Sequence, residues 1–103
     1  MRSVEVCAFA DITYRMLDYW CRTGRVPDID RWDSPGSGGR REFTRAQAEH
    51  VRLLAALLRA GLTIDIATTI AADAGSGQRV HTLPGHVLIE LPASLMPSQT
   101  VSA

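Results

Sequence analysis

Apolar positions recur at helical spacing in four places along this chain and give way to shorter, β-rich runs in two others. Val4, Val6, Cys7 and Phe9 mark a short amphipathic helix from Ser3 to Ala10, with Ser3 placed to cap its first turn. After a turn at Asp11-Ile12, Thr13 can cap a second helix whose apolar positions are Met16, Leu17, Tyr19, Trp20 and Cys21, and Gly24 closes it. Two short helices joined this tightly must cross steeply, which is the helix-turn-helix arrangement. Thr44-Arg-Ala-Gln47 has the capping-box form, and Val51, Leu53, Leu54, Leu57 and Leu58 carry a helix of about four turns to Gly61. Thr63 can cap a fourth helix whose stripe of Ile64, Ile66, Ala67, Ile70 and Ala71 runs to Ala74, where Gly75-Ser-Gly77 ends it. These last two helices are expected to form a helical hairpin packed on the first pair.

The β-rich runs differ from one another. From Val26 to Phe43, Pro27 and Pro35 exclude helix, Val26, Ile29, Trp32 and Phe43 favour strand, and Ser34-Pro-Gly-Ser-Gly-Gly39 is turn chemistry. A two-stranded wing over 27–43 with a long glycine tip is the reading adopted, with Trp20 and Trp32 as core and wing anchors. Residues 78–91 predict a smaller hairpin around Pro84-Gly85, and its apolar run Val87-Leu88-Ile89 is expected to be covered, because an isolated hairpin is marginal in water. Residues 92–103, rich in Ser, Pro, Thr and Ala, are expected to be a disordered tail. The fold class is therefore mainly α: a winged helix-turn-helix with a two-stranded wing, plus a small C-terminal β-hairpin.

Composition narrows the functional classes. The chain has 103 residues, 46% of them hydrophobic, enough for one compact domain and short for an enzyme with its own pocket. Its formal net charge of zero speaks against nucleic acid, since phosphate contacts dominate affinity for DNA. The distribution speaks for it: every basic residue is Arg, and all but Arg79 lie between Arg2 and Arg59. Arginine presents a planar fork that suits phosphate and guanine edges, although Arg-favouring codons in a GC-rich genome would give the same usage. Cys7 and Cys21 match no metal-ligand or redox spacing and read as small core residues of a reducing cytoplasm. No apolar run approaches the roughly 20 residues that span a bilayer, so a soluble, cytoplasmic protein without a membrane partner is expected. His50, His81 and His86 are scattered, no nucleophile elbow or P-loop is present, and His81 and His86 read as solvent-facing. No enzyme activity, metal, cofactor or small-molecule ligand is expected.

What remains points to double-stranded DNA. Thr13, Tyr14, Arg15 and Asp18 fall near the N-terminal end of the second helix, the end a recognition helix presents to base edges. Arg15 can bond guanine bidentately, and Thr13 and Tyr14 can reach phosphate or a thymine methyl. Asp18 would repel phosphate, so it either accepts from cytosine or orients Arg15 or Arg22 along the helix. Arg22 lies at the far end of the same helix, where it also complements the helix dipole. Arg40 and Arg41 stand at the base of the glycine tip, and Arg45 begins the third helix, whose free amides favour anions.

Thr13-Tyr-Arg-Met-Leu-Asp-Tyr-Trp20 through Gly24, then Gly36-Ser-Gly-Gly-Arg-Arg-Glu-Phe-Thr44, then a leucine-rich helix ending in Arg59-Ala-Gly-Leu-Thr63, resemble the MerR-type winged helix-turn-helix DNA-binding domain over residues 2–74. The resemblance implies that the second helix, with Tyr14 and Arg15, enters the major groove, and that Arg41, before an aromatic, contacts the DNA backbone. Excisionases and small phage or actinobacterial regulators share a reduced form of this fold. The implied function is a sequence-specific regulator of transcription; a recombination directionality factor and a protein-interaction module are the alternatives. MerR proteins that sense metals or drugs usually dimerise through a long helix followed by an effector-binding segment, and neither is expected from these residues. The hairpin 78–91 is then the candidate surface for a homodimer, with side-by-side binding of monomers on repeated DNA sites as the other arrangement.

Overall fold

The computed structural model describes residues 1–29 and 41–97. These hold four helices, α1 (Ser3–Ala10), α2 (Tyr14–Arg22), α3 (Arg45–Arg59) and α4 (Ile64–Gly75). An antiparallel hairpin of β1 (Val80–Leu83) and β2 (Val87–Glu90) follows, and then a 3-10 helix, Ala93–Leu95. The described chain is mainly helical, as its periodicity predicts. Most of the segment read as a wing, with Trp32, the glycine tip and Arg40, lies outside the described residues. At its far end Glu42 forms an antiparallel bridge with Arg2, and the Phe43 amide donates to the Met1 carbonyl at 2.7 Å.

Three of the helices start as their local sequence dictates. Thr13, Thr44 and Thr63 each accept the backbone N–H three residues on, from Met16 (3.2 Å), Gln47 (3.0 Å) and Ile66 (3.3 Å). Gln47 returns the favour by accepting the Thr44 amide at 2.7 Å, completing the capping box. Each such cap contributes about 1 kcal/mol. The first helix departs from expectation: Ser3 is its buried first residue, and the cap is Arg2, whose amide donates to the Glu5 carboxylate at 2.8 Å. The bridge to Glu42 keeps Arg2 extended, and with Arg2 as the cap the helix begins at Ser3, one residue earlier than a serine cap would start it.

The turn between α1 and α2 rests on Asp11, held at φ 57° in the left-handed region that short polar side chains tolerate. Its exposed carbonyls are taken by a distant residue. Arg59, in the last turn of α3, donates to the carbonyls of Ala10 (2.8 Å) and Asp11 (2.5 Å). In the turn between α3 and α4, Gly61 adopts φ 98°; a Cβ there would meet no atom within 4 Å, so the requirement is backbone conformation and not space.

α3 is the central element, in contact with α1 on one side and α4 on the other. Val51, Leu53 and Leu54 are fully buried in it, against Val6 and Ala10 of α1 and Ala67, Ile70, Ala71 and Ala74 of α4. Burying a side chain of this size stabilises the fold by about 1.5–3 kcal/mol, so the core dominates the caps. α2 joins through Leu17, Trp20 and Cys21, while Met16 and Tyr19, expected in the core, are exposed. The pitch of the helix explains this: Leu17, Trp20 and Cys21 already fill one face of a nine-residue helix, and Tyr19 points the other way. Cys21 is buried, Cys7 is half-buried, and both are free thiols; burial pushes the Cys7 thiol up.

The hairpin pairs His81 with Ile89, Thr82 with Leu88 and Leu83 with Val87. Strand alternation sends His81, Leu83 and Ile89 toward the helices and leaves Val80, Thr82 and Leu88 outside. The expectation that Val87-Leu88-Ile89 is covered as a run is therefore corrected: Leu88 lies on the outer face and is 64% exposed, and Val87, on the face of Ile89 but next to the turn, is 54% exposed. His81 is likewise not solvent-facing but 4% exposed, whereas His86 is exposed in the turn at φ 63°. Disorder is also not the state of residues 92–97. The 3-10 helix brings Leu95 and Met96 against the core, Pro97 is buried, and the Ser94 carbonyl accepts from Arg52 at 3.2 Å. Three apolar side chains and one carbonyl acceptor within five residues supply what composition alone understated; residues 98–103 lie outside the described residues.

Candidate nucleic-acid interface

With Leu17, Trp20 and Cys21 turned inward, α2 presents Arg15, Tyr19 and Arg22 on its outer face at spacings i, i+4 and i+7. Tyr14 and Met16 flank that row, 48% and 39% exposed, and Tyr19 is 63% exposed. Thr13 stands at the N-terminal end, its hydroxyl oxygen already engaged as the cap. Among the described residues Arg15 has no hydrogen-bond or ion-pair partner, so its guanidinium is free for a ligand. Tyr19 counts among the apolar positions of this helix, yet it is exposed. The signal that places it here is its position one helical turn beyond Arg15 and three residues before Arg22.

Asp18 sits beside this face and is not a free anion. One carboxylate oxygen lies 2.9 Å from Arg22 Nε and the other 2.8 Å from Arg41 Nη1. Of the two partners expected along the helix, Arg22 is present and Arg15 is not. The hydrogen bond from Arg41, reinforced by the charges of both arginines, holds the Asp18 carboxyl below the usual carboxylate range against the opposing effect of its partial burial. Two guanidinium groups on one carboxylate leave a surplus positive charge, to which Arg15 adds another. The acid that argued against phosphate therefore organises arginines instead.

Arg41 does not stand where a backbone contact would need it. Its side chain is 3% exposed, drawn in by Asp18, because a buried guanidinium requires a counter-charge. Its place is under the interface, where it links the segment before α3 to α2. Arg45 is 66% exposed, lies 3.1 Å from the buried Glu49 and has its guanidinium 5.1 Å from the centroid of the Phe9 ring. Arg52 lies over the same ring at 4.7 Å. Arg40 is outside the described residues. The structure thus brings Thr13, Tyr14, Arg15, Asp18 and Arg22 together on α2, joins Arg41 to them from below, and holds Arg45 to its own helix and to α1.

The chain leaving α2 is fastened to α3. His50 Nε2 is 2.8 Å from the Arg25 carbonyl, and since a carbonyl only accepts, that nitrogen carries the proton and donates. Gln47 Nε2 donates to the Pro27 carbonyl at 2.9 Å. Burial pushes the His50 imidazole below the ordinary histidine value. Arg25 itself pairs with Asp65 of α4 at 2.8 Å. Both ends of α2 are so anchored on the α3–α4 hairpin, which fixes its presentation.

Among the described residues no helix is long and apolar enough to cross a membrane. A family model described as "MerR HTH family regulatory protein" matches residues 1–73. Relatives named as uncharacterised HTH-type transcriptional regulators occur in Mycobacterium bovis and in two strains of Mycobacterium tuberculosis. Each is 35% identical over 63 residues, which is 61% of this chain and 28% of the relative. The chain therefore spans little more than a quarter of the length of those curated relatives. No solved structure matches it.

Proposed function

We propose that this chain, which belongs to the MerR family of helix-turn-helix regulatory proteins, binds double-stranded DNA sequence-specifically and regulates transcription by doing so. In this reading α2 enters the major groove with Arg15, Tyr19 and Arg22 toward the bases. Arg15 addresses a guanine edge, Tyr19 a thymine methyl or a neighbouring phosphate, and Thr13 and Tyr14 the backbone at the helix N-terminus. Arg40 and Arg45 would add phosphate contacts on either side. Arg41 and Asp18 are positioning residues that fix Arg22. The observation that carries the reading is Arg15: exposed, unpartnered among the described residues, and central on a helix face that the core leaves free.

The test is fluorescence anisotropy with selected duplex fragments at several salt concentrations. Wild-type binding is expected to weaken steeply with salt, as counterion release requires. Arg15→Ala is expected to cost about tenfold to a hundredfold on the preferred sequence and little on unrelated DNA, the pattern of a lost base contact. Arg45→Ala is expected to weaken both modestly and to reduce the salt slope by about one. Absence of any binding at low salt would overturn the proposal and favour a protein-interaction module.

A further inference from the structure

A cleft of about 470 Å³ opens between α4 and the hairpin, away from the residues assigned to DNA. Its walls combine the apolar side chains Ile66, Ile70 and Leu83 with Asp73 and His81. That size and mixture are those of small-molecule sites, in which a few fixed polar groups orient an apolar ligand. Two polar groups in this cleft are unspent. The Asp73 carboxylate is half-buried and has no hydrogen-bond or ion-pair partner among the described residues. His81 is 4% exposed, and its Nε2 lies 2.9 Å from the Gln78 carbonyl. A carbonyl only accepts, so Nε2 donates, and in the tautomer that carries its proton there Nδ1 is an acceptor without a partner among the described residues.

The chemistry that satisfies both groups is a donor carrying positive charge. A carboxylate and an imidazole lone pair both accept, and neither offers a proton to an anion. Asp65, on the same helical row as Thr69 and Asp73, is already neutralised by Arg25 at 2.8 Å, which leaves Asp73 as the free charge of the wall. Among the described residues no three His, Cys, Asp or Glu side chains converge as metal ligands would. Residues 98–103 carry no basic side chain that could fold back as occupant. We propose that this cleft binds a small organic cation, its ammonium group on Asp73 and His81 Nδ1 and its apolar body against Ile66, Ile70 and Leu83.

The test uses the full chain, 15N-labelled and free of DNA, titrated with benzylamine and in parallel with benzyl alcohol, its neutral counterpart of nearly the same shape. Benzylamine is expected to shift the amide signals of Asp73, Gln78, His81 and Leu83 saturably, and to bind at least about tenfold more tightly than benzyl alcohol, the factor that one charge-assisted hydrogen bond supplies. Asp73→Asn is expected to abolish that preference while the signals of α1 and α2 stay in place. Equal affinity for the two compounds, shifts centred elsewhere, or no saturable shift with benzylamine overturns the proposal. Should Asp73→Asn not fold, the comparison of the two compounds on the wild-type chain still decides it. Because no DNA is present, failure here leaves the DNA reading untouched.

Discussion

Asp18 on α2 and Asp73 on α4 carry the same carboxylate and are treated oppositely by their surroundings. Asp18 lies within 2.9 Å of two arginines, one of them almost wholly buried; Asp73 meets none among the described residues. Asp65 falls between, with Arg25 as a single partner and 80% of its side chain exposed. Three aspartates with two, one and no arginine partners form a natural series. The difference teaches that a charge count says little here: the negative charge of Asp18 is cancelled locally by two arginines, while that of Asp73 is left to face solvent or a ligand. A chain of zero net charge can in this way present a positive face.

The series can be broken at its strong end first. Asp18→Ala leaves Arg41 buried without its counter-charge and is expected to cost about 2 kcal/mol in urea denaturation, less than for a fully enclosed pair because Asp18 is partly exposed. An unchanged midpoint would mean that Asp18 braces nothing. Acid gives the next effect, with two arms that begin at different pH. His50 is depressed by burial, so the unfolded chain takes up the proton first; stability is full above about 6.5 and falls as pH drops below it, until the folded imidazole protonates as well. Asp18 contributes in full above the ordinary carboxylate value of about 4, and its share is lost as pH falls through its lowered folded value. Urea midpoints measured from pH 8 to pH 3 should show both arms, and His50→Gln should remove only the first.

The weak end sharpens the contrast. Asp65→Asn is expected to cost no more than about 0.5 kcal/mol, and less as salt is added, because exposed ion pairs contribute little. Asp73→Asn should change stability by less than about 0.5 kcal/mol in either direction, as a surface substitution without a structural partner. If thermal denaturation ranked Asp73→Asn above Asp18→Ala in cost, the assignment of bracing to one and vacancy to the other would be reversed.

Much of this fold was legible because its signals are local. The threonine caps at 13, 44 and 63 need only the amide three residues on, and the left-handed glycine at 61 only its own φ. The helical spacing likewise placed α3 and α4 and the face of Ile70 and Ala74. What escaped was long-range. Asp18 finds Arg41 across 23 residues, and nothing in either neighbourhood announces the partnership. Tyr19 is as apolar as a core residue, and its exposure follows only once Leu17, Trp20 and Cys21 have filled the inner face. His81 is buried because a strand alternates, which depends on the register of a hairpin whose turn alone was readable. Leu95 and Met96 reach the core because β2 returns the chain to α3, a matter of topology and not of composition.

The grip of Arg59 on the carbonyls of Ala10 and Asp11 spans 48 residues or more of sequence. On a growing polypeptide α1 and α2 therefore emerge well before the residue that fixes the angle between them. A fragment that stops short of Arg59, whether by interrupted synthesis or by proteolysis, keeps Arg15, Tyr19 and Arg22 but not the clamp that orients them. The presentation of α2 is thereby left without its clamp until the third helix is complete.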